Sequence, residues 1–402
     1  WSSDVCSSDL KRVRPPYSPH PLPVDHNGVP HGTPHNKKRQ ELMLNIVHLV
    51  SNKSWGGGER YALDLCRRAA ADGHSVAVVT RRCPQVDSVF AEAGFAPGHL
   101  PLRGVLDFVS PTMLARVLDR IDAPIVVHTH NFKTAGTAVR ARRLMRNPGK
   151  VRIVTTRHLV KKAKTTASAR QLYSDIDAII FVSEAARREF LSSSPAIDSS
   201  RLHVVLNAVS DRPAAEPVEK AQGETRLAYC GRLDPEKGLE VLIDALAKVQ
   251  NPAITLHIAG AGKSSYVQQL VRRCQVAGIA DRVVWHGHLD NVAPLMASAD
   301  IGVAPSVCPE ACSLTIIEFL RQGVPVIASD TGANPELVEN VSTGLLVPAG
   351  DSDALAGAIS SLASDHALRR TMAEAARKEA SARFTYDNFY RQISAIYSPP
   401  AE

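Results

Sequence analysis

The sequence predicts an α/β protein made of two Rossmann-like domains with parallel sheets, and three observations carry that prediction. Short apolar runs rich in Val and Ile recur with helix-period segments between them, the pattern of strands buried on both faces and joined by crossover helices. The alternation stops once, over residues 210–224 (SDRPAAEPVEKAQGE), where Pro, Ala and charge replace periodicity, and then restarts. A length of 402 residues with 44% hydrophobic content is ample for two cores.

The start of the chain stands apart. WSSDVCSSDL back-translates into a short-read sequencing adapter and begins with Trp, and residues 11–40 are crowded with Pro, His, Asn, Lys and Arg. Residues 1–42 are therefore expected to be an artefactual and disordered extension, with the authentic start near Met43.

The first domain is expected over residues 43–209. Residues 44–50 (LNIVHLV) make its first strand, followed by SNKSWGGGER and a helix from Glu59 that Gly73 ends. Strand, glycine-rich loop and helix let backbone approach a phosphate, although Gly56, Gly57 and Gly58 lack GxGxxG spacing and fit a tight turn as well. Strands at residues 75–80 and 124–129 come next, the latter running into His128-Thr129-His130. Alternation puts both histidines on one face, with His130 reaching further past the strand end, where a packing role and a cleft role are both open. Runs at residues 151–156, 178–182 and 202–206 complete this sheet.

The second domain is expected over residues 225–383, with strands at 227–230, 254–259, 282–285, 301–304, 324–328 and 345–347. Its first loop, GRLDPEKG, sends Arg232 off a strand end and has Lys237 opening the next helix. Two cations there can neutralise a diphosphate, or simply flank a surface turn. Gly260 and Gly262 mark a further strand end, and His286-Gly287-His288 another. The pair of histidines lacks a third metal ligand.

The stretch APSVCPEACSLTIIEFLRQGVPV at residues 304–326 holds Glu310 and Glu318, eight positions apart. Ser313 is a good N-cap, residues 314–322 have helical spacing, and Gly323 and Pro325 stop the helix. The helix start offers free N–H groups to an anion, while two carboxylates beside it suit neutral hydroxyls. A nucleotide sugar meets both demands; spacing alone also fits two solvated surface acids.

Glu310-x7-Glu318, with GVPVIASDTGANPELV and TGLLVPAGD after it, resembles the retaining nucleotide-sugar glycosyltransferases of family 4. The resemblance extends over residues 44–397. It implies a GT-B fold, two Rossmann-like domains facing a cleft, with a C-terminal helix (384–402) returning to the first domain. It implies that Gly57 and Gly58 lie against donor phosphates and acceptor, that Arg232 and Lys237 hold the diphosphate, and that Glu318 takes the ribose and Glu310 the sugar hydroxyls. Backbone N–H groups of Cys312, Ser313 and Leu314 would complete the anion seat, the loops at Gly260 and Gly287 would enclose the base, and His130 would assist from the cleft. Ser183 and Asn207 resemble the family's strand-end serine and domain-closing asparagine, with Ala208 where a glycine is usual.

The expected activity is retaining, metal-independent transfer of a sugar from a nucleoside diphosphate sugar to an acceptor hydroxyl, without cofactor, in bacterial cell-envelope glycan, lipopolysaccharide or glycolipid synthesis. Rival readings are a nucleotide-sugar epimerase on the same fold and a non-catalytic two-domain sugar-binding protein. No apolar run approaches the ~20 residues of a spanning helix, so no transmembrane segment is expected; the scattered cysteines favour a cytoplasmic protein, one that can be peripheral at the inner face of the plasma membrane. Six scattered cysteines beyond Cys6 fit reduced, buried fillers, Cys308 and Cys312 included. The net charge of +7 concentrates at residues 140–170, with eleven Lys or Arg and no acid. An anionic glycolipid or membrane inner face is the partner expected there, rather than nucleic acid, unless these cations are solvated helix faces. Asp175-x-Asp177 and Asp351-x-Asp353 resemble a metal-binding D-x-D, but turn and cap duties explain Asp351 better.

Overall fold

Runs of Val, Ile, Leu and Ala with few polar interruptions form the strands, and in the central strands of each sheet nearly every side chain is buried, as parallel strands covered on both faces require, while the edge strands are more open. The computed structural model describes residues 43–398, apart from Lys53, Val105, Ala123 and residues 210–214. The extension expected at residues 1–42, and the start of the expected linker, lie outside the described residues.

The first sheet contains β1 (Asn45–Val50), β2 (Ser75–Thr80), β3 (Gly98–His99), β4 (Ile125–Thr129), β5 (Val151–Arg157), β6 (Ala178–Phe181) and β7 (Leu202–Val204), all parallel, in the order β3-β2-β1-β4-β5-β6-β7. The second contains β8 (Thr225–Cys230), β9 (Ile254–Ala259), β10 (Val283–Gly287), β11 (Ile301–Ala304), β12 (Val326–Ser329) and β13 (Gly344–Val347), in the order β10-β9-β8-β11-β12-β13. Each order reverses direction once, between β1 and β4 and between β8 and β11. Such a switch point opens a crevice at the carboxyl ends of the strands. The glycine loop leaves β1, His130 leaves β4, Arg232 leaves β8 and Glu310 follows β11, so both crevices are lined by the residues singled out above.

Several boundaries differ from expectation for local reasons. The strand expected from residue 324 begins at Val326, since Pro325 has no N–H for the ladder. The one expected from 282 begins at Val283, after a 3-10 turn over Ala280–Arg282, and its register shifts between Trp285 and Gly287. β3 is a two-residue edge strand without an apolar run to announce it.

Large apolar clusters fill the space between sheets and helices, with Leu227, Leu256, Ile301 and Leu246 in one and Val127, Ile153, Phe181 and Phe190 in another. Each such buried side chain contributes about 1.5–3 kcal/mol. The last helix, Tyr386–Tyr397, belongs to the second half of the chain but packs on the first sheet, burying Phe389, Ile393 and Tyr397 against Ile46, Val126 and Val154. The Arg152 guanidinium donates to the Ile396 carbonyl at 2.9 Å, fixing the helix's end to β5.

Candidate active site

The glycine loop is shaped by the residue that follows it. Gly56 is the N-cap of the Gly57–Ala71 helix, which places Glu59 at the third helical position, where an acid can reach back to the cap N–H. Glu59 is buried and also accepts from the Asn52 side-chain amide. Burial pushes its carboxyl above the ordinary carboxylate range, against the pull of these hydrogen bonds. The helix thus starts two residues earlier than expected, with Gly57 and Gly58 in its first turn.

Across the cleft, Ser313 caps the Leu314–Gln322 helix, its hydroxyl accepting from the Ile316 N–H at 3.4 Å, and Gly323 ends it in the left-handed region. A Cβ added to Gly57 would lie 3.6 Å from Leu314 Cδ1, so the two helix N-termini approach one another from opposite domains. Their free N–H groups and positive dipole ends converge on one place. The Asn207 amide also crosses the cleft, donating to the Cys312 carbonyl at 3.5 Å.

Lys237 does not open a helix. It closes a 3-10 turn over Pro235–Lys237, and Gly238, at φ 71°, separates that turn from the Leu239–Lys248 helix. A Cβ at Gly238 would fall 1.9 Å from the Pro305 carbonyl oxygen, and this close approach brings Lys237 against the loop after β11. There Lys237 Nζ meets Glu310 Oε1 at 2.5 Å, and Ser306 donates to the same oxygen at 2.6 Å. Arg232 is more open, its side chain 66% exposed and 3.6 Å from Asp234. Glu318 lies a turn into its helix and pairs across the cleft with Arg60, Nη1 to Oε1, at 2.7 Å.

Beyond β9, Gly260 and Gly262 join Leu233, Trp285, Gly287 and His288 around a cleft of about 330 Å³. His286 points away from it to His257, at 3.0 Å, and His288 is exposed. Cys312 is half-buried, with a thiol that burial pushes up to about 12, whereas Cys308 is exposed rather than the buried filler expected of it. Asp351 caps the Ser352–Ser364 helix, accepting from Asp353 and Ala354 N–H at 2.9 Å, and Asp175 and Asp177 pair with Arg143 and Arg142.

His130 is buried in a group of imidazoles that the sequence order conceals. β1 pairs with β4 so that His48 lies opposite His128, and His48 Nδ1 is 3.2 Å from His130 Nε2. The His158 ring stacks on His130 from the end of β5 and lies beside the glycine loop, 3.9 Å from where a Gly58 Cβ would be. His48, His128 and His130 have ring nitrogens within 4.8 Å of one another, the spacing a metal would need. Yet His128 spends both on hydrogen bonds, to Tyr397 at 2.7 Å and Thr156 at 2.8 Å. His48 Nε2, His130 Nδ1 and His158 Nε2 are buried with no protein partner among the described residues.

Burial lowers all four histidines, His48 to about 3, His158 to about 4, and His128 and His130 well below the ordinary value of 6.5. Protons therefore bind the unfolded chain more readily than the folded one. The stability these neutral rings hold is complete above about pH 6.5 and is lost as pH falls towards 4 and 3, each unit of difference being worth about 1.4 kcal/mol. The melting temperature is expected to fall from pH 6.5 downward, before ordinary carboxylates titrate. A flat profile to pH 4.5 would count against a neutral buried cluster.

Residues 55–212 match the family described as Glycosyltransferase Family 4, and residues 224–365 match Glycosyl transferases group 1. The phosphatidyl-myo-inositol mannosyltransferase of Mycobacterium leprae is 31% identical over 366 residues, 86% of this chain and 94% of that protein. The chain belongs to the family 4, group 1 glycosyltransferases. The D-inositol 3-phosphate glycosyltransferase of Jonesia denitrificans is 27% identical, over 85% of this chain and 91% of that protein. Among solved structures, Anabaena HepE in complex with UDP superposes with a TM-score of 0.74 at 22% identity, over 87% of this chain and 98% of that one. A glycosyltransferase from Rickettsia africae superposes at 0.75 with 20% identity, over 88% and 98%. This glycosyltransferase therefore has the two-domain GT-B fold. None of Glu59, Arg60 and His158 was singled out from the sequence. A polar residue directly after a glycine loop or a strand end was the only available signal.

Proposed function

We propose that this glycosyltransferase moves a sugar from a nucleoside diphosphate sugar to an acceptor hydroxyl with retention of anomeric configuration, in cell-surface glycan or glycolipid synthesis. The observation that carries this reading is the approach of two helix N-termini across the cleft, with Lys237 paired to Glu310 and Arg60 paired to Glu318. The diphosphate takes Arg232, Lys237 and the N–H groups of Cys312, Ser313 and Leu314. Glu318 takes the ribose, Glu310 the sugar hydroxyls, and the cleft at Gly260 and Gly287 the base. The bond from the anomeric carbon to the leaving phosphate breaks with its electron pair moving to the phosphate. The acceptor oxygen bonds on the same face and passes its proton to that phosphate oxygen. His130, neutral and with Nδ1 unpaired, hydrogen-bonds a sugar hydroxyl. The cations perform the charge neutralisation that a metal performs elsewhere, so the reaction proposed is metal-independent. The relatives' printed activities on inositol lipids and inositol phosphate support it, as does UDP bound to HepE.

The test is a panel of UDP, GDP and ADP sugars scored by thermal shift, with the product's anomeric configuration read by NMR. One donor class should stabilise the protein, and the donor's configuration should persist. Release of an altered nucleotide sugar without acceptor would make the protein an epimerase, and an inverted product would overturn retention.

The acceptor is proposed to be an anionic glycolipid met by the first domain at a membrane's inner face. The basic stretch divides in two. Arg140, Arg142, Arg143, Lys150, Arg152 and Arg157 are tied to carboxylates or carbonyls of the fold, while Arg146, Lys161, Lys162, Lys164 and Arg170 project into solvent. The loop after β3 adds exposed Leu106, Phe108 and Val109. Both loops leave the carboxyl edge of the same sheet, and no helix among the described residues is long and apolar enough to cross a membrane. Sedimentation with acidic-lipid vesicles should be salt-sensitive and fall in a Lys161→Glu, Lys162→Glu, Phe108→Ser variant. Equal binding to neutral vesicles would remove the anionic headgroup, and binding to neither kind of vesicle would remove the membrane.

A further inference from the structure

The Arg60–Glu318 pair joins the two domains at the carboxylate proposed to hold the ribose, and Lys237–Glu310 occupies the carboxylate proposed to hold the sugar. Each carboxylate is thus paired with a cation that a diphosphate would claim. We propose that Arg60 is a third phosphate-binding cation, supplied by the first domain and held by Glu318 until the donor's ribose takes that carboxylate. The proposal rests on the nucleotide-sugar reading above.

The geometry favours exchange over a fixed strut. Arg60 lies in the first turn after the glycine loop, its N–H donating to the Gly56 carbonyl at 3.0 Å, so its side chain emerges beside the seat where the helix ends converge. Both side chains keep access to solvent, 25% exposed for Arg60 and 19% for Glu318, so the pair can open without stranding a fully buried charge. Ribose hydroxyls are neutral donors that satisfy Glu318 but offer the guanidinium no charge. A second acid, Asp64, is 4.0 Å from Arg60 Nε and 3.8 Å from Arg67, a looser partner than Glu318. A diphosphate then presents paired anionic oxygens to which the planar arginine fork can donate two parallel hydrogen bonds.

The test compares competition by a nucleoside diphosphate and by its nucleoside against the stabilising donor sugar, in wild type, Arg60→Gln, Arg60→Lys and Glu318→Gln, with melting temperatures recorded throughout. Arg60→Gln should weaken the diphosphate roughly tenfold or more and leave the nucleoside as tight or tighter, because Glu318 is released. Arg60→Lys should recover part of the loss. Glu318→Gln should show the opposite pattern, weakening the nucleoside. Unchanged diphosphate affinity in a folded Arg60→Gln protein overturns the assignment. So does an equal loss for diphosphate and nucleoside, the mark of a strut between domains. A wild-type protein that binds no nucleoside diphosphate at all would overturn the donor reading and this one with it, which separates the two failures.

Discussion

Lys237→Ala is expected to lower turnover by at least about 10²–10³-fold, the usual cost of removing a preorganised group from a developing charge, while the protein stays folded. The side chain is 26% exposed and sits on a one-turn segment whose backbone is fixed independently, by the Lys237 N–H to Asp234 carbonyl bond at 2.9 Å and the close approach of Gly238 to Pro305. Removing it leaves Glu310 with Ser306 as its partner, a modest loss for a carboxylate that still reaches water. The expected damage is therefore to chemistry and diphosphate affinity, and hardly to melting temperature. Glu310→Gln provides the contrast. It keeps the shape of the site and leaves Lys237 for the diphosphate, so nucleoside diphosphate binding should persist while transfer falls. Steady-state kinetics with the stabilising donor, alongside binding of the free diphosphate, would separate the two. Near wild-type turnover in Lys237→Ala would remove Lys237 from the diphosphate.

What the sequence could convey depended on how local the cause was. β6 and β11 are apolar runs bounded by turn signals, and their positions followed from burial on two faces. The Leu314–Gln322 helix was legible to the residue, because Ser313 and Gly323 act within one turn of it. At GRLDPEKG, Asp234, Pro235 and Gly238 point to a turn, but not to the position of Lys237 at its end against Glu310, which follows from the distant contact of Gly238 with a carbonyl after β11. The histidine cluster was half legible. Alternation puts His128 and His130 on one face, but only strand order brings His48 opposite His128 and His158 over His130. Arg60 and Glu318 are 258 positions apart, and no window of sequence contains their relation. Motifs named the loops that meet at the cleft; which side chains grip one another there is decided by the packing of two sheets.

The same long-range logic makes Gly332→Ala the second large expectation. Gly332 has φ 59°, and a Cβ there would lie 2.2 Å from the carbonyl oxygen of Glu310 and 2.4 Å from its nitrogen. The clash is with backbone on both counts, so no rotamer relieves it. The two loops are also tied by the Ala333 N–H donating to the Glu310 carbonyl at 2.8 Å, and on the far side the Asn334 amide holds the Ser329 carbonyl at 3.0 Å. The easiest relaxation therefore moves the Glu310 loop, which takes its carboxylate away from Lys237 and Ser306. A left-handed alanine together with displaced backbone is expected to cost about 2–4 kcal/mol, and a shift of the order of 1 Å at the sugar's ligand to cost about 10²-fold in turnover. Gly357→Ala is the internal control. That glycine is exposed on the Ser352–Ser364 helix with nothing within 4 Å of an added Cβ, so alanine there should leave turnover unchanged and raise stability by about 0.5–1 kcal/mol. Denaturant melts and initial rates on both variants would check this. If Gly332→Ala behaved like Gly357→Ala, the SDTGAN turn would not be what holds Glu310 in place.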